Sequence, residues 1–446
     1  MSNNMKIMGG LMRRWALVGA AVATVAGCGE GSEEPAAPAG GGVSCEGSVC
    51  VLTGTIKEDL TLTADTQWLL RGGVFIGDDV EQTTLTIEPG TTIFGETATN
   101  GMLVIQRGSR ILAEGTLEAP IVFTSSKEEG SRARGDWGGV IINGRAPVNS
   151  CADQEVACEA FGEGGTGFYG GGDPDDNSGV LRYVRVEFAG SLISPDNELN
   201  GLGLQGVGSG TTLDFIQVHM GKDDGVEFFG GTVNFKHILT TGIADDNLDW
   251  TDGWQGKGQF FVALQYDDAG DNGVEADNNG EDNTASPRST PVLSNITLIG
   301  QPDSELSDIG VLLREGTGGQ LHNAIVTGWN ETCLDIDNPE TFANAERGDL
   351  IVANSLLDCA AAFGAGDDDP FTVEDFFNAM NTGNTLGNAR LIDPYGDTPD
   401  FRPGEGSEMI TGAVVPADSF FEPVSFRGGV GPDDDWTAGW TTSARN

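Results

Sequence analysis

The chain of 446 residues carries 68 acidic side chains against 23 lysines and arginines, for a formal net charge of −45. This charge disfavours nucleic acid and anionic lipid surfaces as partners, and it favours divalent cations and neutral or cationic ligands. Seven cysteines without a CxxC pair, and only three histidines, give little support to a zinc site. Glycine, at 68 residues, is about twice as frequent as usual, which is typical of a fold with many turns.

The N-terminus has the pattern of a signal sequence. A basic segment containing Lys6, Arg13 and Arg14 precedes a short apolar stretch at 15–26, which is too short to span a membrane. Small residues then lead to Cys28, as in a bacterial lipobox. We therefore predict a signal peptide at 1–27 and lipidation of Cys28. An ordinary cleaved signal followed by an incidental cysteine is the alternative.

Residues 28–44 are rich in glycine, proline and alanine and are predicted to form a flexible tether. Gly29 is not the aspartate that retains many lipoproteins in the inner membrane. The sequence therefore predicts a lipid anchor in the outer membrane and leaves the choice of leaflet open.

The cysteines that remain after Cys28 fall into three local pairs, which is typical of disulfides in an exported protein. The predicted pairs are Cys45 with Cys50, Cys151 with Cys158, and Cys333 with Cys359.

Residues 45–80 are predicted to be an irregular N-terminal β cap, and residues 81–364 an all-β solenoid. From Val180 onward the pattern x-apolar-x-x-apolar-x-apolar occurs seven times, at spacings of 20 to 33 residues. Such repetition without a helical period predicts a parallel β-helix. The repeats start at Val180, Thr212, Thr232, Gln259, Val292, Gln320 and Ile351.

The fourth residue of each repeat is expected to stack on its counterpart in the next turn of the coil, first as aromatic rings and then as an asparagine ladder. These residues are Tyr183, Phe215, Phe235, Val262, Asn295, Asn323 and Asn354.

A second, shorter strand follows in most repeats, with alternating inward and outward positions. Its alternation predicts one outward column of Glu227, Asp249, Glu275, Leu312 and Asp335, and beside it a column of Phe229, Thr251, Asp277, Arg314 and Asp337.

Residues 146–179 interrupt the repeats and are predicted to be a surface loop insertion. The segment 365–446 is predicted to be a mostly irregular tail that packs on the solenoid. Within it, Thr372 is expected to cap a short helix at 372–381, and Trp436 and Trp440 are expected to anchor the tail.

Several segments resemble a group of exported bacterial proteins and surface lipoproteins of uncharacterised function. They are TLTIEPGTTIFG, the LAEGT and APIVFTS run, GDWGGVIINGRAPVN and DDDWTAGWT. The resemblance implies a right-handed, pectin-lyase-like parallel β-helix and implies no particular reaction.

The outward acids admit three interpretations. Carboxylates on adjacent coils would lie about 5 Å apart and those two coils apart about 10 Å, close to the separations in glycosidases. A polysaccharide hydrolase would draw its acid and base from Asp223, Asp224, Asp245, Asp246 and Asp249.

A calcium-dependent polysaccharide lyase would use Arg314 as base or substrate clamp. Its calcium ligands would be Asp249, Glu275, Asp277 and Asp335.

In the third interpretation the acids bind calcium structurally, cap turns or solvate the surface, because Asp and Asn are common in tight turns. We favour this interpretation. It predicts a monomeric, calcium-stabilised binding or scaffold module for a polysaccharide or a surface protein. A second calcium candidate is the loop with Asp173, Asp175 and Asn177, which has the oxygen spacing of an EF-hand loop but lacks its final glutamate.

Overall fold

The computed structural model describes residues 41–151, 157–194, 197–366 and 369–446. The predicted signal peptide at 1–27, Cys28 and the tether up to residue 40 lie outside the described residues. From residue 41 the chain winds into a right-handed parallel β-helix in which 25 strands are hydrogen-bonded in one continuous sheet. No helix among the described residues is long and apolar enough to cross a membrane.

The coil has three faces, which we call sheets A, B and C. Each face is a ladder of parallel strands, one from each turn of the coil. Sheet A contains 54–56, 73–76, Met102–Ile105, Gly139–Asn143, Leu202–Gln205, Val226–Phe229, Leu248–Thr251, Val274–Ala276, Ile309–Leu313 and Thr332–Ile336.

Sheets B and C are joined by long strands that bend at the corner between the two faces. The long strands are Gly179–Glu187, Thr212–His219, Asn234–Thr241, Lys257–Leu264, Val292–Ile299 and Gly319–Thr327. The shorter strands of sheet B are Leu60–Leu62, Thr84–Ile87, Arg110–Glu114 and Leu350–Ala353. Those of sheet C are Thr92–Gly95, Ile121–Ser125, Leu356–Asp358 and Thr385–Leu386, with the first halves of Val49–Ile56 and Gln67–Ile76.

The core lies inside the coil, where the inward residues of all three sheets meet. On sheet A the residues that directly precede the predicted outward column are each at most 1% exposed, as the alternation requires. They are Val226, Leu248, Val274, Val311 and Leu334. Their backbones pair in one register, which confirms the predicted second strand.

The corner between sheets B and C holds a column of residues in the left-handed conformation, with φ between 48° and 65°. They are Tyr183, Phe215, His237, Phe260, Asn295, Asn323 and Asn354. The predicted stack is confirmed, with ring centroids 4.5 Å apart for Tyr183 and Phe215 and 4.3 Å apart for Phe215 and His237.

Two members of that column were predicted wrongly. Phe235 and Val262 are not at the corner, because the repeats predicted to start at Thr232 and Gln259 are shifted by two residues in the actual register. A shift of two preserves the inward and outward alternation of a strand, so the apolar pattern does not reveal it. Phe235 is in the core instead.

The tail lies along this corner column and is held by its amides. Asn295 Nδ2 donates to Phe426 O at 2.8 Å, and Asn323 exchanges two hydrogen bonds with the backbone of Val414, at 3.1 and 2.9 Å. Trp440 packs edge-on against Tyr183 and is 1% exposed, as expected for an anchor. The tail also contains one small antiparallel pair, Leu391–Asp393 with Asp400–Pro403.

The two ends of the coil differ. At the C-terminal end a helix covers the last turn: Val373–Asp375 continues into Phe376–Met380, and Thr372 Oγ1 accepts the N–H of Asp375 at 3.0 Å, as predicted. At the N-terminal end Gly42–Glu46 pairs antiparallel with Val49–Ile56. Since Val49–Ile56 already pairs in parallel with Gln67–Ile76, the coil begins well before residue 81, and the predicted cap at 45–80 and tether at 28–44 both extend too far.

The remaining elements lie outside the three sheets. The helix Pro339–Arg347 was not predicted, and single 3₁₀ turns occur at Thr97–Thr99, Glu163–Gly165 and Glu408–Ile410. The insertion contains a hairpin of Ala160–Gly162 and Gly167–Tyr169, and a second hairpin of Leu192–Ser194 and Asn197–Glu198 follows it. All three predicted disulfides are present, with Cα atoms 4.0 to 5.6 Å apart.

Replacing Asn323 with alanine tests the corner column. Alanine at φ 56° costs about 1–2 kcal/mol, and the loss of the hydrogen bonds to Val414 adds about 1–2 kcal/mol. We expect Asn323→Ala to lower the free energy of unfolding in urea by about 3 kcal/mol and to speed proteolysis of the tail. Asn354→Ala, at φ 54°, is the matched control for the backbone cost alone. Equal losses in both variants would contradict the anchoring role.

Candidate functional site

The turns that lead into sheet A carry a ladder of Asp and Asn side chains. Asp224 Oδ1 accepts the backbone N–H of Asp246 at 3.0 Å, Asp246 Oδ1 accepts that of Asn272 at 2.8 Å, and Asn272 Oδ1 accepts that of Ile309 at 3.2 Å. Each side chain therefore ties its own turn to the next coil. For Asp224 and Asp246 this accounts for one oxygen of each carboxylate.

The outward column on sheet A is present as predicted. Glu227 pairs in register with Asp249, Asp249 with Glu275, Glu275 with Leu312, and Leu312 with Asp335. Glu227, Asp249 and Glu275 lie on adjacent strands, so their side chains point from the same side of the sheet.

The column and the turn ladder together form what we call the acidic face. On it, four groups of three carboxylates each have ligand oxygens within 4.8 Å of one another, and they repeat with a shift of one coil. The groups are Asp223, Asp224 and Asp245; Asp245, Asp246 and Asp271; Asp224, Glu227 and Asp249; and Asp246, Asp249 and Glu275.

The electrostatics of the acidic face disfavour ionisation of all these acids at once. The pKa values of four acids are raised well above their usual range: Asp224, Glu227, Asp246 and Asp249. Burial is the largest cause, and the charges of neighbouring carboxylates are the second. Burial, followed by the charge of Asp245, also raises the pKa of Asp223 to about 7. A bound cation would remove this repulsion.

Arg314 lies at one end of the acidic face. Its guanidinium forms ion pairs with Glu275 and, at 2.9 Å, with Asp277. Among the described residues, the other seven acids of the four groups have no ion pair with a Lys, Arg or His. Burial alone would lower the pKa of Arg314, but the two carboxylates raise it. Arg314 therefore stays protonated, which argues against its predicted role as a base.

The lyase hypothesis also placed its calcium ligands differently from the structure. Asp277 is bound to Arg314, and Asp335 lies two strands from Glu275 with Leu312 between them. Of the four predicted ligands, only Asp249 and Glu275 belong to the carboxylate groups. Those groups are completed by Glu227 and by two turn acids of the hydrolase hypothesis, Asp224 and Asp246.

The side-chain oxygens of the loop at Asp173, Asp175 and Asn177 accept hydrogen bonds. Asp173 Oδ1 accepts the N–H of Asp175 at 3.1 Å, Asp175 Oδ1 accepts the hydroxyl of Ser209 at 3.0 Å, and Asn177 Oδ1 accepts the N–H of Gly179 at 2.9 Å. These oxygens stabilise the loop itself.

Asn200 was missed as a site residue. Asn200 precedes Leu202 by two residues, as Asp224 precedes Val226, so the repeat spacing could have placed it on the turn ladder. It is 5% exposed and its amide contacts Glu227 Oε2, while its own Oδ1 has no hydrogen-bond partner among the described residues. Asp249 Oδ1 is likewise buried without a partner. Two unpaired oxygens therefore lie at the same carboxylate group.

The two hairpins lie at one end of the acidic face, and Arg314 lies at the other end. The first is seated on sheet A, because Gln106 Nε2 and Asn143 Nδ2 each donate to Thr166 O at 2.8 Å. Its Tyr169 covers Phe229, which is 8% exposed and not the exposed aromatic that the alternation indicates.

Comparison with known proteins agrees with this architecture. A family model described as "Pectate-lyase like beta helix domain" matches residues 54–441, which is most of the chain. The chain belongs to this family of β-helix domains. No curated protein matches it.

Two solved structures are similar to the chain. One is the enzymatically active domain of tailspike protein 2 of bacteriophage CBA120, with a TM-score of 0.38 and 11% identity over 66% of this chain. The chain spans 38% of the length of that structure. The other is the pectate lyase Pel9A, with a TM-score of 0.35 and 13% identity, covering 83% of this chain and 89% of that one.

The raised pKa values predict an unusual dependence of stability on pH. The folded protein binds more protons than the unfolded chain between pH 3.8, the ordinary value for aspartate, and about 7, the value for Asp223 and Asp271. Acidification therefore stabilises the fold relative to the unfolded chain across this window. We expect the melting temperature of the metal-free protein to rise by several degrees from pH 8 to pH 5.

Calorimetry in EDTA at a series of pH values measures this effect. The double variant Asp223→Asn/Asp271→Asn should have a higher melting temperature at pH 8 and a flatter profile. A melting temperature of the unaltered protein that falls steadily from pH 8 to pH 5 would contradict the electrostatic picture of the acidic face.

Proposed function

We propose that the protein is a calcium-binding β-helix module of the cell envelope, which binds a glycan or a neighbouring surface protein as a monomer. The observation that carries the proposal is the set of four overlapping carboxylate groups, whose eight acids have one arginine, Arg314, at their edge. Such a charge distribution is stable at neutral pH only if protons or cations neutralise it.

Calcium is the cation that fits this chemistry best. It prefers six to eight oxygen ligands in flexible geometry, and carboxylates and amide carbonyls are its usual protein ligands. The group of Asp224, Glu227 and Asp249 offers three carboxylates, and the unpaired oxygen of the adjacent Asn200 is a further candidate. Magnesium is less suitable because it requires near-octahedral geometry and retains its waters.

The N-terminal sequence supports the location. A signal peptide at 1–27 and a lipid on Cys28 would tether the β-helix to the outer membrane through residues 28–41, with the leaflet undecided. Calcium in the acidic face would then brace adjacent coils of sheet A against mutual repulsion, and it would supply a positive site for ligands on a negatively charged protein.

Calcium titration of Asp249→Asn tests this proposal. Asp249 belongs to two of the four groups, so its neutralisation removes a charged ligand from both. By isothermal titration calorimetry at pH 7.5 we expect Asp249→Asn to weaken calcium binding by on the order of tenfold or more. Its melting temperature should also respond less to millimolar calcium.

Asp433→Asn is the control, because Asp433 lies in the tail and in none of the four groups. It should bind calcium as the unaltered protein does. The absence of calcium binding and of thermal stabilisation in the unaltered protein would refute the proposal.

A glycoside hydrolase is the second candidate, and one pair of acids favours it. The side chains of Asp223 and Asp245 are within hydrogen-bond reach, and the pKa of Asp223 is raised to about 7 by burial and by Asp245. Asp223 would thus stay protonated near neutral pH and could supply the proton donor, which is one of the two carboxyl roles that glycosidases require. A lyase is less favoured, because Arg314 is held as a cation.

A reducing-sugar assay over a panel of polysaccharides tests the hydrolase. If it is correct, activity is present in the unaltered protein, falls by at least about 100-fold in Asp223→Asn, and depends on pH with a limb near 7. Asp433→Asn should keep full activity. Release of no reducing ends from any member of the panel would count against this candidate and leave the binding module.

A further inference from the structure

Four large apolar side chains are exposed on the two hairpins beside the acidic face. Phe161 and Phe168 are 53% and 45% exposed, and Leu192 and Ile193 are 42% and 37% exposed. Phe161 and Phe168 are directly opposite each other across the first hairpin, on the face away from Tyr169, with ring centroids 5.1 Å apart. We call these four side chains the apolar crest.

The two hairpins are in contact at Ile193. A Cβ on Gly164, in the turn of the first hairpin, would lie 2.7 Å from Leu199 Cδ2 and 3.5 Å from Ile193 Cγ1. Leu199 is buried on sheet A with Met102, Val104 and Ile141, which fixes the second hairpin to the coil. The crest is therefore held in a defined place.

Acids surround the crest. Glu163 is in the turn between the two strands that carry Phe161 and Phe168, and Glu198 ends the second hairpin. The charges of both contribute to the raised pKa of Asp223, after burial and Asp245, so both lie near the acidic face. Neither belongs to a carboxylate group that could hold a metal.

The geometry of the crest distinguishes between a glycan and a polypeptide. The two phenylalanine rings are nearly perpendicular, at 78°, so they do not form a flat platform for successive sugar rings. Leu192 and Ile193 are aliphatic and suit apolar side chains better than sugar hydroxyls. Apolar contacts with acids at the margin complement a segment that has both apolar and basic residues.

We infer that the apolar crest, with Glu163 and Glu198, docks a basic amphipathic segment of a partner protein. Apolar side chains of the segment would cover Phe161, Phe168 and Ile193, and its lysines or arginines would face Glu163, Glu198 and the acidic face. The inference rests on the proposed function, since it names the partner class of the binding module. Calcium need not leave for the partner to bind, because the two glutamates are outside the carboxylate groups.

The test uses the full chain with three fluorescent 14-residue helical peptides: leucine with lysine, leucine with glutamate, and serine with lysine. Anisotropy at 150 mM salt and 2 mM calcium should show binding of the leucine–lysine peptide that is at least tenfold tighter than that of the other two. Phe161→Ser/Phe168→Ser should weaken binding of the leucine–lysine peptide at least tenfold. Glu163→Gln/Glu198→Gln should weaken it about threefold and make the binding less dependent on salt.

Leu306→Ser/Ile392→Ser is the matched control, since these side chains are 48% and 51% exposed elsewhere on the surface. It should bind the peptide as the unaltered protein does. Calcium titration of each variant separates the two proposals, because Phe161→Ser/Phe168→Ser should keep full calcium affinity whether or not the peptide binds.

Two results would overturn the inference. One is equal binding of the leucine–lysine peptide to the unaltered protein and to Phe161→Ser/Phe168→Ser. The other is binding of a soluble glycan, but of none of the peptides, that is lost in the same variant, which would make the crest a glycan site.

Discussion

The structure depends on the stacking of equivalent residues from one turn of the coil to the next, about 4.8 Å apart. At this spacing every outward side chain contacts its counterpart in the turns above and below. A column of like residues is therefore favourable only if its members do not repel one another. The corner between sheets B and C satisfies this condition with aromatic rings and then with amides, from Tyr183 to Asn354. The rings stack on one another, whereas the amides of Asn295 and Asn323 bond to the backbone of the tail.

Sheet A has a column of like residues that is unfavourable by itself. Glu227, Asp249 and Glu275 repel one another, and the turn acids beside them increase the repulsion. The turn ladder explains why aspartate or asparagine is useful at Asp224, Asp246 and Asn272, since each accepts a backbone N–H of the next coil. It does not explain Glu227 or Glu275, which have no such bond to make. Carboxylates at those positions are costly for folding alone, which is the basis of the proposal that they bind a cation.

The corner column and sheet A therefore differ in what covers them. The tail covers the corner column by bonding to Asn295 and Asn323, so that surface is internal and unavailable to partners. On sheet A the hairpins lie at one end, where Tyr169 packs against Phe229, which is 8% exposed. The hairpins hide the aromatic that belongs to the coil and present two of their own, Phe161 and Phe168, next to the acids.

The repeat spacing predicted the β-helix and the outward acid column, because the period of the alternation and the length of one coil are visible in a linear sequence. The three disulfides were predicted from the local pairing of the cysteines. The same pattern could not distinguish His237 from Phe235 at the corner, since a shift of two residues leaves every side chain on the same face. That register was decided by the bend, whose left-handed residues must stack on one another across coils.

The acidic face likewise has features that the sequence predicts and features that it does not. By itself, the sequence determined that Asp249 and Glu275 share a column and that Asp224 and Asp246 precede sheet A. Only the tertiary structure decided that the ligand groups combine turn and strand acids, that Arg314 is neutralised by Glu275 and Asp277, and that Phe161 rather than Phe229 is exposed. The reason is physical. The alternation of apolar residues shows only on which side of a strand a residue lies. The distance from a turn to the next coil and the position of an inserted hairpin are set only when the coil has folded.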